Sequence, residues 1–174
     1  MHSLVRLHFL APGECERALA LLDQTSLAPA RADGGFKGRL GTVGWLERSG
    51  DSEWIYERMR GYGLEYASRH GIDATRLEEP LQYVEYPRGT RFDWHIDTGT
   101  RDTADRKITI SVQLSRPADY EGGTLELVGE HPVLQSRTQG AGIAFSSALA
   151  HRVTRIKRGK RRALVGWILG PPYR

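Results

Sequence analysis

At 174 residues the chain is long enough to bury one substantial core and too short for two comfortable ones, so a single domain over residues 1–174 is expected. Its 39% hydrophobic content is ordinary for a globular protein, and no run of about 18 apolar residues is present to cross a membrane as a helix. The net charge of +4 collects in HRVTRIKRGKRR (151–162), which reads as a solvated strand edge protected by charge from pairing with other chains; RNA or DNA binding there is the minority reading, because no interleaved aromatics accompany the cations.

Charge and proline interrupt the opening MHSLVRLHFLAPGECERALALLD, which argues against a secretory signal and for a cytoplasmic location. The lone Cys15 cannot form an internal disulfide and suits a reducing compartment. In APGECERALALLD (11–23), Cys15, Ala18, Leu19 and Leu22 fall on one helical face, with Pro12 where a missing N–H costs least. From Leu27 to Gly50 no period is sustained, and the stretch is read as loop with a short strand near LGTVGWL. Residues 51–70 are predicted helical, with Asp51 or Ser52 as cap, Gly71 as stop, and Trp54, Ile55, Met59, Tyr62 and Tyr66 facing inward. These helices form a support over 1–75.

Beyond Gly71 the texture changes. LQYVEYP, RFDWHI, KITISVQLS, GGTLELV, HPVLQSR, AGIAFSS, AHRVTRIK and RRALVGWIL are eight short β-forming segments separated by turn residues. That spacing predicts a mainly β, α+β fold: an antiparallel jelly-roll core over 80–170 with the helices packed outside.

Successive strand residues alternate faces, so His95 and Asp97 in FDWHIDTG point the same way. An imidazole beside a carboxylate supplies two of the three ligands of a facial metal triad. His-x-Asp alone is a weak signal, more often a hydrogen-bonded pair than a ligand set. Of the other histidines, at 2, 8, 70, 131 and 151, only His151 begins a strong late strand. A tight RGK turn after that strand would return the chain so that Arg161 neighbours His151. A buried arginine there would need an anion, and its planar fork suits a carboxylate.

YPRGTRFDWHID, ITISVQLSRPADYEGGTLEL and FSSALAHRVTRIKRGKRRALVGWI together resemble the core of the Fe(II)- and 2-oxoglutarate-dependent oxygenases, in their prolyl 4-hydroxylase-like branch. FLAPGECERALALLD resembles the opening helix of that branch. The resemblance implies a double-stranded β-helix (jelly roll, cupin-like) with Fe(II) held by His95, Asp97 and His151. It implies 2-oxoglutarate as cosubstrate, O2 as oxidant, ascorbate as a candidate reductant, and hydroxylation coupled to oxidative decarboxylation. Arg161 would take the far carboxylate of 2-oxoglutarate, with Arg162 as competitor, since alternation lets only one face inward. Tyr86 matches a family tyrosine that reaches the cosubstrate.

On KITISVQLS the cavity-facing set is then Thr109, Ser111 and Gln113. Gln113 departs from the bulky residue, often tyrosine, found in relatives, which puts its contact with 2-oxoglutarate in question. Trp167 would line the same face. The polar loop Thr98–Asp105 is a candidate lid, and Trp94, Arg101 and Arg106 are candidate substrate contacts. The substrate implied is a small molecule or a peptide or protein, with a prolyl residue or amino-acid-like group as the hydroxylated moiety. The rival reading is a non-redox cupin-like metal-binding protein or isomerase, in which Arg161 has no task.

Overall fold

A computed structural model describes residues 2–30, 39–130 and 137–172. In chain order these form β1 (Leu4–Arg6), α1 (Pro12–Leu22), β2 (Ala28–Pro29), β3 (Arg39–Leu40), β4 (Thr42–Leu46), α2 (Glu53–His70), β5 (Leu81–Pro87) and β6 (Arg91–His95). They continue with β7 (Arg106–Gln113), β8 (Tyr120–Gly122), β9 (Leu125–Leu127), β10 (Gly142–Ser146), β11 (His151–Val153) and β12 (Ile156–Leu169).

The helices begin and bury as their spacing dictates. In α1, Pro12 sits in the first turn, the Glu14 carboxylate accepts the Ala11 N–H at 2.9 Å, and Cys15, Ala18 and Leu22 are buried. This satisfies one of the donors a helix N-terminus leaves free. In α2, Ile55, Tyr56, Met59, Tyr62 and Tyr66 are buried, while Trp54 is only partly covered. They pack against Ile108, Ile110 and Val112 of β7, Leu114 just past its end, and Leu164 and Ile168 of β12. This layer takes up the apolar face of the larger sheet.

That sheet runs β1-β10-β7-β12-β5-β4-β2, with β8 added alongside β12. Opposite it lies a four-stranded sheet in the order β3-β6-β11-β9. Neighbouring strands are antiparallel in both. A second buried cluster, including Val84, Tyr86, Leu125, Phe145 and Val153, fills the space between the sheets. The result is the jelly roll expected from the strand spacing, with both helices on the outer face of the larger sheet. No helix among the described residues is long and apolar enough to cross a membrane.

Two differences have physical causes. The turn predicted at RGK is absent: Arg158, Gly159 and Lys160 lie within the 14-residue β12. Gly159 adopts φ 71°, and a Cβ there would stand 1.9 Å from the Asp119 carbonyl oxygen, so glycine lets β8 close against a strand that bends without reversing. β11 consequently pairs with β6 and β9 and not with β12. Second, the short β1 gains its ladder from β10, far along the chain, and β2 from β4, pairings that three- and two-residue segments do not announce. Of the predicted strand HPVLQSR, residues 131–136 lie outside the described residues.

Gly63 marks where α2 meets the sheet: a Cβ there would lie 2.3 Å from Ile168 Cγ1 and 2.9 Å from Ile110 Cδ1. Gly63→Ala should therefore cost about 1–3 kcal/mol through overpacking. Gly61→Ala, exposed in the same helix with open space at its Cβ, should instead stabilise by about 0.5–1 kcal/mol. Urea unfolding of the two variants, read by circular dichroism, checks both signs.

Candidate metal centre and its cavity

The smaller sheet brings the two histidines together. His151 of β11 is the register partner of His95 of β6, and the ring centres lie 4.1 Å apart. Four residues of β6, Phe92 to His95, span the same length as three of β11, His151 to Val153. This bulge re-aims the side chains, so Phe92 stacks flat on the His95 ring at 3.4 Å and 16°. Phe145 meets His151 edge-on at 4.8 Å.

Each imidazole is anchored in the same manner. His95 Nδ1 lies 2.8 Å from the Asp93 carbonyl oxygen and His151 Nδ1 2.9 Å from that of Leu149. A carbonyl can only accept, so Nδ1 carries the proton and Nε2 presents its lone pair. Asp97, just past the end of β6, is fixed by its own N–H donating to the Ser147 carbonyl at 2.9 Å. Its carboxylate stands 3.5 Å from His95 Nε2 through Oδ1 and 3.6 Å from His151 Nε2 through Oδ2. The three ligating atoms lie within 4.8 Å of one another. Two neutral imidazole nitrogens and one carboxylate on a common side are the donor set a divalent first-row cation takes, so the residues present fit such an ion.

Burial works to raise the Asp97 pKa, but the attraction of the His151 and His95 imidazoles in their protonated forms, with the hydrogen bond from the Thr109 hydroxyl, outweighs it. The carboxyl is held below the usual range. Burial pushes His151 below its ordinary value, against the attraction of Asp97. Near neutral pH both directions favour the metal-ready state, carboxylate with unprotonated imidazole.

Thr109 Oγ1 donates to Asp97 Oδ2 at 2.7 Å and Trp167 Nε1 donates to the same oxygen at 3.1 Å. Trp167 in turn lies under the guanidinium of Arg106, 3.6 Å from the ring centre. Arg106 Nε donates to both oxygens of Glu79, at 2.9 and 3.1 Å, and Nη2 donates to Oε2 as well. No periodicity or motif in the sequence marks Glu79.

The triad opens into a cavity of about 680 Å³, within the range of small-molecule sites. Arg161 lines it and is only 3% exposed. Its guanidinium carbon is 5.8 Å from the ring centre of Tyr86, its register partner on β5. Among the described residues no carboxylate pairs with it, and such a buried cation is costly without an anion. Arg162 faces the other way, toward Glu85 at 3.9 Å and Asp23 at 3.5 Å, so alternation selects Arg161.

Tyr86, Thr109, Ser111, Trp167 and Arg106 also line the cavity, as do Thr98, Gly99 and Thr103 of the predicted lid. Gln113 does not. Its Nε2 donates to the Tyr120 hydroxyl and the Ser115 carbonyl, each at 3.1 Å, deeper in the wall, and its Oε1 is buried without a partner among the described residues. Trp94 likewise turns away: it is 41% exposed and carries the Arg152 guanidinium at 4.8 Å, since alternation sends residue 94 outward when 95 points in. The side chain of Arg101 lies outside the described residues.

Comparison with known proteins agrees with this geometry. The sequence pattern of the 2OG-Fe(II) oxygenase superfamily matches residues 81–169. A PKHD-type hydroxylase of Psychrobacter sp. (strain PRwf-1) is 28% identical over 126 residues, 65% of this chain and 48% of that protein. One from Parvibaculum lavamentivorans is 35% identical over 86 residues, covering 48% and 38%. The chain thus spans about half or less of these two relatives. The fold is shared with a Pseudomonas putida prolyl-4-hydroxylase, at TM-score 0.72 and 23% identity over 97% of this chain and 92% of that one. It is shared too with a Trichoplax adhaerens prolyl hydroxylase in complex with a hypoxia inducible factor peptide fragment, at TM-score 0.75 and 16% identity over 97% and 83%.

Because a cation competes with protons for the imidazole nitrogens, affinity for a divalent cation should fall as pH is lowered, the loss at His151 setting in below the ordinary imidazole range because burial pushes its pKa down. The slope should reach up to about tenfold per pH unit for each histidine protonated. Cobalt(II) titrations from about pH 7.5 down to about pH 4 measure this; a flat profile would count against the histidines as ligands.

Proposed function

The chain belongs to the 2OG-Fe(II) oxygenase superfamily, and from that premise we propose that it couples oxidative decarboxylation of 2-oxoglutarate to hydroxylation of an unactivated C–H bond. His95, Asp97 and His151 hold Fe(II) in this reading. The observation that carries it is the pairing, in one cavity, of a two-imidazole, one-carboxylate donor set with a buried arginine that has no carboxylate partner among the described residues. A non-redox metal-binding protein or isomerase has no use for that cation. Bound iron supplies the redox chemistry by which O2 converts 2-oxoglutarate to succinate and CO2 and delivers one oxygen atom to the substrate.

The chain's own residues orient and shield. Arg161 receives the far carboxylate of 2-oxoglutarate through its planar fork, a charge-assisted contact in a site of low dielectric. Tyr86, at its side, and Ser111 bound the cosubstrate. Phe92, Val84, Leu125, Phe145 and Val153 line the remainder with apolar surface and keep stray water from the reacting centre. The segment Thr98–Asp105 serves as the substrate-side lid.

For the substrate, a prolyl residue in a peptide or protein, or an amino-acid-like group, fits best. Pro29, Trp45, Ile96 and Trp167 give the cavity an apolar, aromatic wall, suited to a saturated ring. We assign the helical support and the β core to one domain, acting in the cytoplasm.

His95→Ala should abolish succinate formation from 2-oxoglutarate in the presence of Fe(II) and substrate. Arg161→Leu should leave metal binding intact while weakening 2-oxoglutarate by about 100-fold, equivalent to about 3 kcal/mol for a charged, forked contact. Anaerobic calorimetry on the metal-loaded protein measures this, and unchanged affinity would remove the cosubstrate assignment.

A further inference from the structure

Asp97 contributes the one anionic ligand of the centre, and a carboxylate is free to rotate and to shift between one- and two-oxygen contact with a cation. Here one oxygen is already engaged. Thr109 and Trp167 both donate to Oδ2, which leaves Oδ1 on the side of His95. Of these two donors the hydroxyl is short and held by β7. The indole depends on the orientation of a large ring at the cavity wall.

The contacts on that ring lead away from the metal. One side carries the guanidinium of Arg106, 3.6 Å from the ring centre, and Trp45 packs at 6.4 Å in a tilted arrangement. A flexible arginine is held over an indole more firmly when a carboxylate also fixes its guanidinium. Glu79 does this, meeting Nε and Nη2 with both oxygens. The side chains of the pair are 15% and 23% exposed, sheltered enough for the forked contact to be ordered. Glu79 precedes Pro80, which disfavours helical backbone at residue 79, and β5 begins at Leu81, so the carboxylate projects from a restrained segment.

Resting on the reading of His95, Asp97 and His151 as ligands, we propose that Glu79 is a positioning residue of the metal centre: its carboxylate clamps Arg106 on Trp167, and the indole N–H so fixed orients Asp97. A consequence for specificity follows. Arg106 spends its charge on Glu79, so the cavity wall at this point carries no free cation, and an acidic substrate group gains little there. Arg106, a candidate substrate contact from the sequence, still lines the cavity, and in this proposal it meets the substrate as half of an ion pair.

The test uses cobalt(II) as the probe, with the full chain and no turnover, reading affinity and the visible d–d absorption of the bound ion. Groups one step behind a ligand commonly change metal affinity by about 10–100-fold. Trp167→Phe, which keeps a ring and loses the N–H, should weaken cobalt by about tenfold; Glu79→Gln, one step further out, should weaken it by about threefold to tenfold. Both should shift the d–d band. In the double variant the Glu79 effect should vanish, because its route through the indole is already cut.

Thermal unfolding of each variant identifies a loss that is merely structural. If Glu79→Gln folds poorly, Arg106→Lys, which keeps the charge and loses the planar face, should reproduce the weakening and the band shift. Unaltered cobalt affinity and spectrum in Glu79→Gln or, should it misfold, in Arg106→Lys would overturn the proposal, as would effects of Glu79 and Trp167 that simply multiply. A different failure marks the underlying reading: if His151→Ala binds cobalt as the wild type does, the ligand assignment falls and this inference with it.

Discussion

The alternation of side chains along β7 and β12 is the constraint on which the site depends. Ile108, Ile110 and Val112 face the helices, as do Leu164 and Ile168; residues of opposite parity, Thr109 and Ser111 on β7 and Arg161, Ala163, Val165 and Trp167 on β12, face the cavity. Thr109, Ser111, Arg161 and Trp167 therefore reach one space because their neighbours are held under α1 and α2. A one-residue slip of either strand would exchange the two faces. It would put the cation beneath the helices and isoleucines in the cavity, so the apolar layer that stabilises the fold also sets the polar layer that carries the chemistry.

The smaller sheet contributes rigidity of another kind. His95 and His151 are cross-strand partners, each tied through Nδ1 to a carbonyl two residues earlier and each braced by a phenylalanine ring. The tautomer and the ring plane are settled before any ion arrives. Asp97 completes the set from the other direction, through backbone bonds to Ser147 at the end of β10. The centre thus sits where the two sheets are stitched together.

Behind these ligands the polar groups grade from buried to partly exposed: Thr109 and Trp167, then Arg106, then Glu79. Each link is a hydrogen bond or a stacking contact between groups that would be costly to bury alone. Arg161 stands apart from this order as a buried cation without a carboxylate partner among the described residues, and for that reason it marks the place of an anion.

Much of this was legible in the sequence because it is local. Helical spacing marked α1 and α2, period-two alternation marked the strands, and the His-x-Asp pair with a distal histidine marked the triad. Alternation also restricted the inward arginine to one of two neighbours. What tertiary structure decided is non-local or lies below the resolution of a pattern. The bulge that stacks Phe92 on His95 comes from the pairing of β6 with β11. The unbroken run of β12 through its bend at Gly159, in place of the expected hairpin, goes with β8 closing on it. Gln113 lies on the expected face but too far along β7 to reach the cavity, and it turns to Tyr120 instead. Glu79 lies 27 residues from the arginine it clamps, and no spacing rule connects them. Sequence fixes which way a side chain points along its own strand, since backbone geometry sets that period. Which groups then meet depends on register, bulges and strand bends, which are properties of pairs of segments and appear only when the chain is folded.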